Sequence, residues 1–299
     1  IGEETIIDLG YKNYYPKSVF KLSPNGNLLA YVINNIGKYN LVIHDFQTGK
    51  KRTVLLKKGA KNAVQETDYN YPLITWHDNR ELSVLFELGD KILLRKYSVN
   101  TKSYVEQDLP ENIQRVFSMD WIDEENYLFS ALIDGYSDLI EYNTRYRGIS
   151  QITEDCHDDL SASFVKLGTQ VGILFSSNRS NGEILNERLD TILPLKDFDI
   201  FFLPHLNEGY ATSAINLSAN SDENDIQPLL ANDHYIVYLN ESSGIYNRYI
   251  IDINTNRTFS NSNYEHNIIN HEASPSSEAY LFQVYNNAAY ELHLEFPNW

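Results

Sequence analysis

A short unit returns along the whole chain: an apolar run, a break of roughly four residues rich in Asp, Asn, Gly and Pro, and a second apolar run. FKLSPNGNLLAYV, Phe20 to Val32, is the clearest copy. ITWHDNRELSVLF, MDWIDEENYLFSA, SFVKLGTQVGILFSS, QPLLANDHYIVYL and NHEASPSSEAYLFQ follow it in order. Runs of this length, rich in Val, Ile, Tyr and Phe and bounded by turn formers, read as β-strands. The residues of the breaks carry the turn chemistry.

Five of these pairs are followed by two more strands, for example YNLVIHDF and KKRTVLL after the first, and NRYIIDI and RTFS after the fifth. Four strands recurring every 40 to 45 residues or so are the signature of a propeller blade. The sixth copy continues with AAYELHLEF and then the chain ends, one strand short. GEETIIDLG, at the opposite terminus, belongs to no complete repeat. The expectation is an all-β fold: a six-bladed β-propeller of four-stranded antiparallel blades, residues 1–299 forming a single domain. The blades fall at about 14–56, 69–108, 115–153, 158–217, 225–260 and 265–296, closed by strand 4–9 pairing with the last blade. Ile6, Ile7 and Leu9 are then expected to supply apolar contacts to that closure.

Composition narrows the function. The formal net charge is −17, spread along the chain, which excludes a groove for nucleic acid, since phosphates need clustered Lys and Arg. One cysteine, Cys156, rules out an internal disulfide framework. No apolar run approaches the ~18 residues of a membrane span. The chain opens at Ile1 without an initiator Met or a signal-peptide core, so it is expected to be a processed protein or part of a longer one.

Catalytic motifs are not found: there is no Gly-x-Ser-x-Gly elbow, no His-Glu-x-x-His helix, no phosphate-binding Gly-rich loop and no Cys-x-x-Cys pair. His271-Glu272 is followed by Ala-Ser-Pro, so the second zinc ligand is missing and Pro275 blocks the helix that would carry it. Trp76 and Trp121 fall just before the turn at matching blade positions and are expected to pack between adjacent sheets.

The loops are unequal. In a propeller, the links between blades and the loops joining middle strands share one face, and here those segments are long and acidic. They include KKGAKNAVQETDYNY, EDCHDDL and SANSDENDI. Asp68, Asp158, Asp159 and Asp225, at the starts of inner strands, are expected near one channel mouth, with Glu66, Asp155, Asp222 and Glu223 further out. Such a ring would attract a basic peptide or a cation, with Ca²⁺ at Asp158, Asp159 and Asp225 the metal to consider and no other cofactor expected. The plain alternative is that each Asp serves its own turn and the loops are merely solvated. RSNGEILNERLDTILPLKD, Arg179 to Asp197, lengthens blade four and carries Ile184, Leu185 and Leu189. It either folds back over its own blade or presents an apolar patch to a partner.

The SPNG turn with LLAYV, then NLVIHDFQTG, and later GISQIT followed by FSSNR resemble the TolB-like, or PD40, branch of WD40-like propellers. That family repeats a Ser-Pro-Asp-Gly-Lys turn, and Asn25 stands here in the Asp place. YNYPLITW, HDDLSASF, ERLDTILPLKDFDIFF and NRYIIDI also look like the propeller region of large cell-envelope proteins of Bacteroidota. The resemblance implies a non-catalytic interaction scaffold in the periplasm or at the outer membrane, binding a protein partner or adjacent domains of its parent. Two other classes stay open: a Ca²⁺-dependent, lactonase-like channel hydrolase, and the substrate-gating propeller of a prolyl-oligopeptidase-type peptidase.

Overall fold

A computed structural model describes residues 4–7, 19–35, 38–58, 71–184, 196–218, 223–297 and 299. All regular structure among them is β. In chain order the strands are β1 (Thr5–Ile6); β2 (Phe20–Leu22), β3 (Leu28–Asn35), β4 (Lys38–Asp45) and β5 (Lys51–Lys57); then β6 (Leu73–Trp76), β7 (Glu81–Leu88), β8 (Lys91–Ser98) and β9 (Tyr104–Asp108). Next come β10 (Ile113–Trp121), β11 (Asn126–Ile133), β12 (Tyr136–Asn143) and β13 (Gly148–Gln151), followed by β14 (Asp159–Leu167), β15 (Gln170–Ser177), β16 (Asp199–Leu206), β17 (Gly209–Tyr210) and β18 (Ile215–Asn216). The last are β19 (Asp225–Leu230), β20 (Tyr235–Asn240), β21 (Asn247–Asp252) and β22 (Arg257–Ser260), then β23 (Ile268–Ser274), β24 (Ala279–Asn286) and β25 (Ala289–Glu295).

These strands form six antiparallel blades, and the fold class read from the repeats is the one the structure has. Four blades run in simple chain order; in the fourth blade, β17 and β18 share the outer position against β16. The sixth has the order β1-β25-β24-β23, so the N-terminal strand completes the last blade, Thr5 facing Leu294 and Ile6 facing His293. The closing strand is slighter than the sequence suggests. β1 is two residues long, Ile6 is 59% exposed, and Ile7 is the residue that packs inward. Leu9 lies outside the described residues.

The chain divides into two compact units, Ile1–Leu109 with Ile269–Asn298, and Pro110–Ile268 with Trp299. In the first, Leu41, Val84 and Phe86 help form a core between blades one and two, while Leu29, Val42 and Leu281 help form one between blades six and one. In the second, Leu128, Phe175 and Phe201 join blades three and four, and Leu174, Ile236 and Tyr238 join blades four and five. A blade covered on both faces must be apolar on both, which is why the second strands read as continuous runs: Ile236 to Leu239 are all buried. Outer strands lose that cover, and Arg257 to Ser260 are all exposed.

Six of the turns that punctuate the repeat are Asx turns. Between first and second strands, Asp78 accepts the N–H groups of Arg80 and Glu81, Asp123 those of Glu125 and Asn126, and Asn232 those of His234 and Tyr235. Between third and fourth strands, Asp45, Asn143 and Asp252 accept the N–H groups two and three residues on. Hydrogen bonds from Thr48 and Thr255 hold Asp45 and Asp252 below the usual carboxyl range. In blade one the turn needs glycine. Gly26 has φ of +70°, and a Cβ there would lie 2.4 Å from Ser277 Oγ of blade six. Asn79 of blade two accepts the Asn25 N–H, so three successive turns nest on this face of the first unit. Trp76 is buried and donates its indole N–H to the Lys21 carbonyl across the joint between blades one and two, as its position suggests.

Candidate functional site

Pairing β14 with β15 sets Asp159 opposite Ser177, and pairing β15 with β16 sets Ser177 opposite Asp199. The strand-start end of blade four is therefore polar across its width. Two residues beyond β15, Arg179 turns back into this end and is fully buried. Its Nη2 donates to both Asp159 oxygens at 2.7 Å, its Nη1 to Asp155 Oδ2 at 3.3 Å and to the Glu183 carbonyl at 3.0 Å, and its Nε to Ser177 Oγ at 3.0 Å. A bidentate carboxylate with further acceptors on the remaining N–H groups is what a guanidinium needs to stay charged away from water. Burial works against that charge, but Asp159 and Asp155 outweigh it and hold Arg179 above its ordinary value. Burial likewise pushes the Asp159 carboxyl upward, against the pull of Arg179.

The rest of this end is tied down similarly. Asp155 Oδ1 accepts the His157 N–H, and Asn178 Oδ1 accepts the Asp158 N–H at 2.9 Å. Asp199 pairs with Lys196 and accepts from Asn216 at 2.9 Å. In blade five, Asp225 is fully buried and accepts the Asn240 side-chain N–H at 2.6 Å, while its own N–H donates to the Phe198 carbonyl. Burial first, and the neighbouring Asp225 second, push the Tyr238 hydroxyl far above its normal range. Asn224 accepts from the Phe198 N–H and donates to Glu241, fastening the exit of the blade-four insertion to the start of blade five.

The residues singled out by sequence thus do not gather into one cluster. Asp155 and Asp159 come together, joined by Arg179. Asp225 is held in a separate pair in the next blade, and Asp158 is half-buried beside Asn178. Glu66, Asp68, Asp222, Leu185 and Leu189 lie outside the described residues. Ile184 does not stand out from the blade: its N–H donates to the Thr212 carbonyl, Glu183 bridges Ser213, and its side chain packs against the core between blades three and four. A Cβ on Gly182 would lie 1.9 Å from the Ala214 carbonyl oxygen, so only glycine permits this seam. The opening of the insertion folds back on its own blade. Among the described residues, no group of three or more His, Cys, Asp and Glu side chains is arranged to hold a metal ion.

Sequence reasoning missed Arg179 as the organiser of this end, although FSSNR was in view. The available clue was register: folding the hairpin about Gly168 brings Ser177 against Asp159, and the next cation along the chain is Arg179.

No protein-family model matches the sequence, and no curated protein sequence matches it. Solved structures do. The chain is similar to TolB from Acinetobacter baumannii at 14% identity and a TM-score of 0.59, covering 91% of this chain and 64% of that one. It is similar to the β-propeller domain of the Trilobed protease from Pyrococcus furiosus at 10% identity and a TM-score of 0.54, covering 99% and 94%. An oligogalacturonate lyase in complex with manganese matches at 12% identity and a TM-score of 0.55, covering 93% and 76%. The Pyrococcus domain has an open velcro topology, whereas here β1 pairs with β25. The chain spans less than two thirds of the Acinetobacter protein it matches, and the likeness is one of fold.

Proposed function

With a TolB-like β-propeller fold as the premise, we propose that this chain is a non-catalytic protein-interaction module of a bacterial cell envelope, working in the periplasm or at the outer membrane. The observation that carries the reading is the use made of the carboxylates. Both oxygens of Asp159 are taken up by the buried Arg179 guanidinium and those of Asp155 by Arg179 and the His157 N–H, while Asp225 is buried and accepts from Asn240 at Oδ1. A carboxylate with its oxygens occupied inside the fold is a poor general base and a poor metal ligand, because its lone pairs must first be freed. The same bonds fix the frame from which the long segments between strands emerge, and a rigid frame with elaborated loops suits recognition. The working surface in this reading is the face carrying the blade-four insertion, with loop carboxylates other than the buried Asp155, Asp159 and Asp225 steering a partner and apolar residues of the insertion anchoring it.

The likeness to the Trilobed protease propeller, which nearly matches this chain in extent, supports a second reading, a gate serving a peptidase domain elsewhere in a longer protein. One experiment separates the alternatives. Residues 185–195 are replaced by a short Gly-Ser link, leaving Arg179 and its seam untouched, and capture from envelope extracts is quantified beside turnover of lactone, ester and peptide substrates. The scaffold reading expects weaker capture and no turnover by either protein. Turnover lost on Asp158→Asn or Asp225→Asn would replace it with a channel hydrolase.

A further inference from the structure

We propose that Asn181, in the Asn181-Gly182 pair that opens the blade-four insertion, is a site of spontaneous deamidation, and that its isoaspartate product unfastens the insertion from its blade. The sequence holds two Asn-Gly pairs, this one and Asn25-Gly26. Glycine hinders attack on the preceding side chain least, because no Cβ shields its nitrogen and its backbone turns most freely. By sequence the two sites are equal, and the structure separates them. Ring closure requires the peptide unit between the two residues to swing until the glycine nitrogen faces the asparagine Cγ. At Asn25 that unit is held: the Gly26 N–H donates to the Ser23 carbonyl at 2.8 Å, the Asn25 N–H donates to Asn79 Oδ1, and Asn25 Oδ1 accepts from Ser23 Oγ and the Asn27 N–H. At Asn181 one bond is formed, from the Glu183 N–H to Oδ1 at 3.1 Å. The peptide unit that must swing carries no hydrogen bond among the described residues, and Asn181 is exposed to water.

The reaction balances with water alone. The Gly182 nitrogen loses its proton to solvent and bonds to Asn181 Cγ, the Cγ–Nδ2 bond breaks, and ammonia leaves with the proton. Water then opens the five-membered succinimide at one carbonyl to give aspartate, or at the other to give isoaspartate. The Glu183 N–H already points at Oδ1, the oxygen on which charge develops in the first step. In isoaspartate the main chain runs through Cβ and Cγ and is one atom longer. The seam has no room for that atom. Just beyond it, the Gly182 carbonyl accepts the Ala214 N–H at 2.6 Å, and a Cβ on Gly182 would lie 1.9 Å from the Ala214 carbonyl oxygen. Glu183 bridges Ser213 and gives its carbonyl to Arg179 Nη1, and the Ile184 N–H donates to the Thr212 carbonyl. Shifting Gly182 breaks these in turn, which frees the insertion at its root and takes one acceptor from the buried Arg179. The reaction needs no partner, so it proceeds whatever the insertion-bearing face binds.

The folded chain is held at pH 8 and 37 °C, sampled over days, digested with trypsin and read by mass spectrometry with electron-transfer fragmentation, which tells isoaspartate from aspartate. Peptides 180–188 and 22–38 report the two sites, and a sample kept in guanidinium chloride supplies the unfolded rates. In the folded chain Asn181 should react about tenfold or more faster than Asn25, whereas unfolded the two should agree within about threefold, since only the fold positions them differently. Amide exchange at Ala214 and Ile184 should quicken in proportion to the isoaspartate formed, as their bonds across the seam are lost. Asn181→Gln, which disfavours the five-membered ring, should suppress both the product and the quickening. A rate at Asn181 no greater than that at Asn25 in the folded chain overturns the assignment of the site. Isoaspartate at Asn181 with exchange at Ala214 unchanged overturns the unfastening.

Discussion

Replacing Arg179 by Met keeps most of the side-chain volume and removes the charge. The structure sets the size of the effect. Asp159 loses the partner of both its oxygens and Asp155 loses one of its own, and both residues are buried. Breaking one side of a buried ion pair costs about 3–5 kcal/mol, mostly because the remaining charge is stranded. In a chain of 299 residues that corresponds to a fall in melting temperature of roughly 5–8 °C. The loss should depend on pH with a definite sign. Without the guanidinium, burial raises the Asp159 carboxyl against only the weaker pull of the Ser177 hydrogen bond, so the folded variant binds a proton more readily than its unfolded chain. Its stability is therefore greatest at acidic pH and declines as pH rises through that elevated value. Denaturant unfolding of parent and variant at pH 5 and pH 8 should give a smaller difference at pH 5, and adding Asp159→Asn to the variant should restore part of the loss at pH 8. A loss below about 1 kcal/mol, or one independent of pH, would refute the claim that this ion pair locks the blade.

Deleting residues 1–7 should cost only about 1–3 kcal/mol, because the closing strand is two residues long and Ile7 is the residue that packs inward; urea midpoints of the full and shortened chains measure it. Gly26→Ala should destabilise by about 1–3 kcal/mol, through strain at positive φ and the clash with Ser277, and Ser277→Gly should relieve only the second part in a double-mutant cycle. His77 is lowered to about 4 by burial, with Lys96 adding to the effect. Its unfolded form takes a proton first, so stability present above pH 6.5 is lost as pH falls toward 4, by at most about 3 kcal/mol. The variant His77→Asn should flatten the melting-temperature profile across that window.

The blade plan was legible in the sequence because its punctuation is local. An Asp or Asn that accepts the N–H groups two and three residues on makes its turn from neighbours in the chain, so Asp78, Asp123, Asn232 and Asp252 announce their hairpins wherever the hairpins sit. Strands covered on both faces likewise betray themselves as unbroken apolar runs, as Ile236 to Leu239 do. The pairing of GEETIIDLG with the last blade followed by elimination, since one strand was missing and one was unassigned. Its strength did not follow, because exposure of Ile6 depends on what lies over it. The same limit governed the candidate site. Sequence placed Asp159 and Asp225 correctly at the starts of inner strands, but whether such a carboxylate faces a ligand or a partner of its own depends on residues brought opposite by sheet pairing. Asp159 meets Arg179 only once β14 and β15 have paired, and Asp225 meets Asn240 only once β19 and β20 have. Local turn chemistry therefore fixed the number and order of the blades from sequence alone. The tertiary structure alone decided which charges are spent inside them, because desolvation and pairing act through space rather than along the chain.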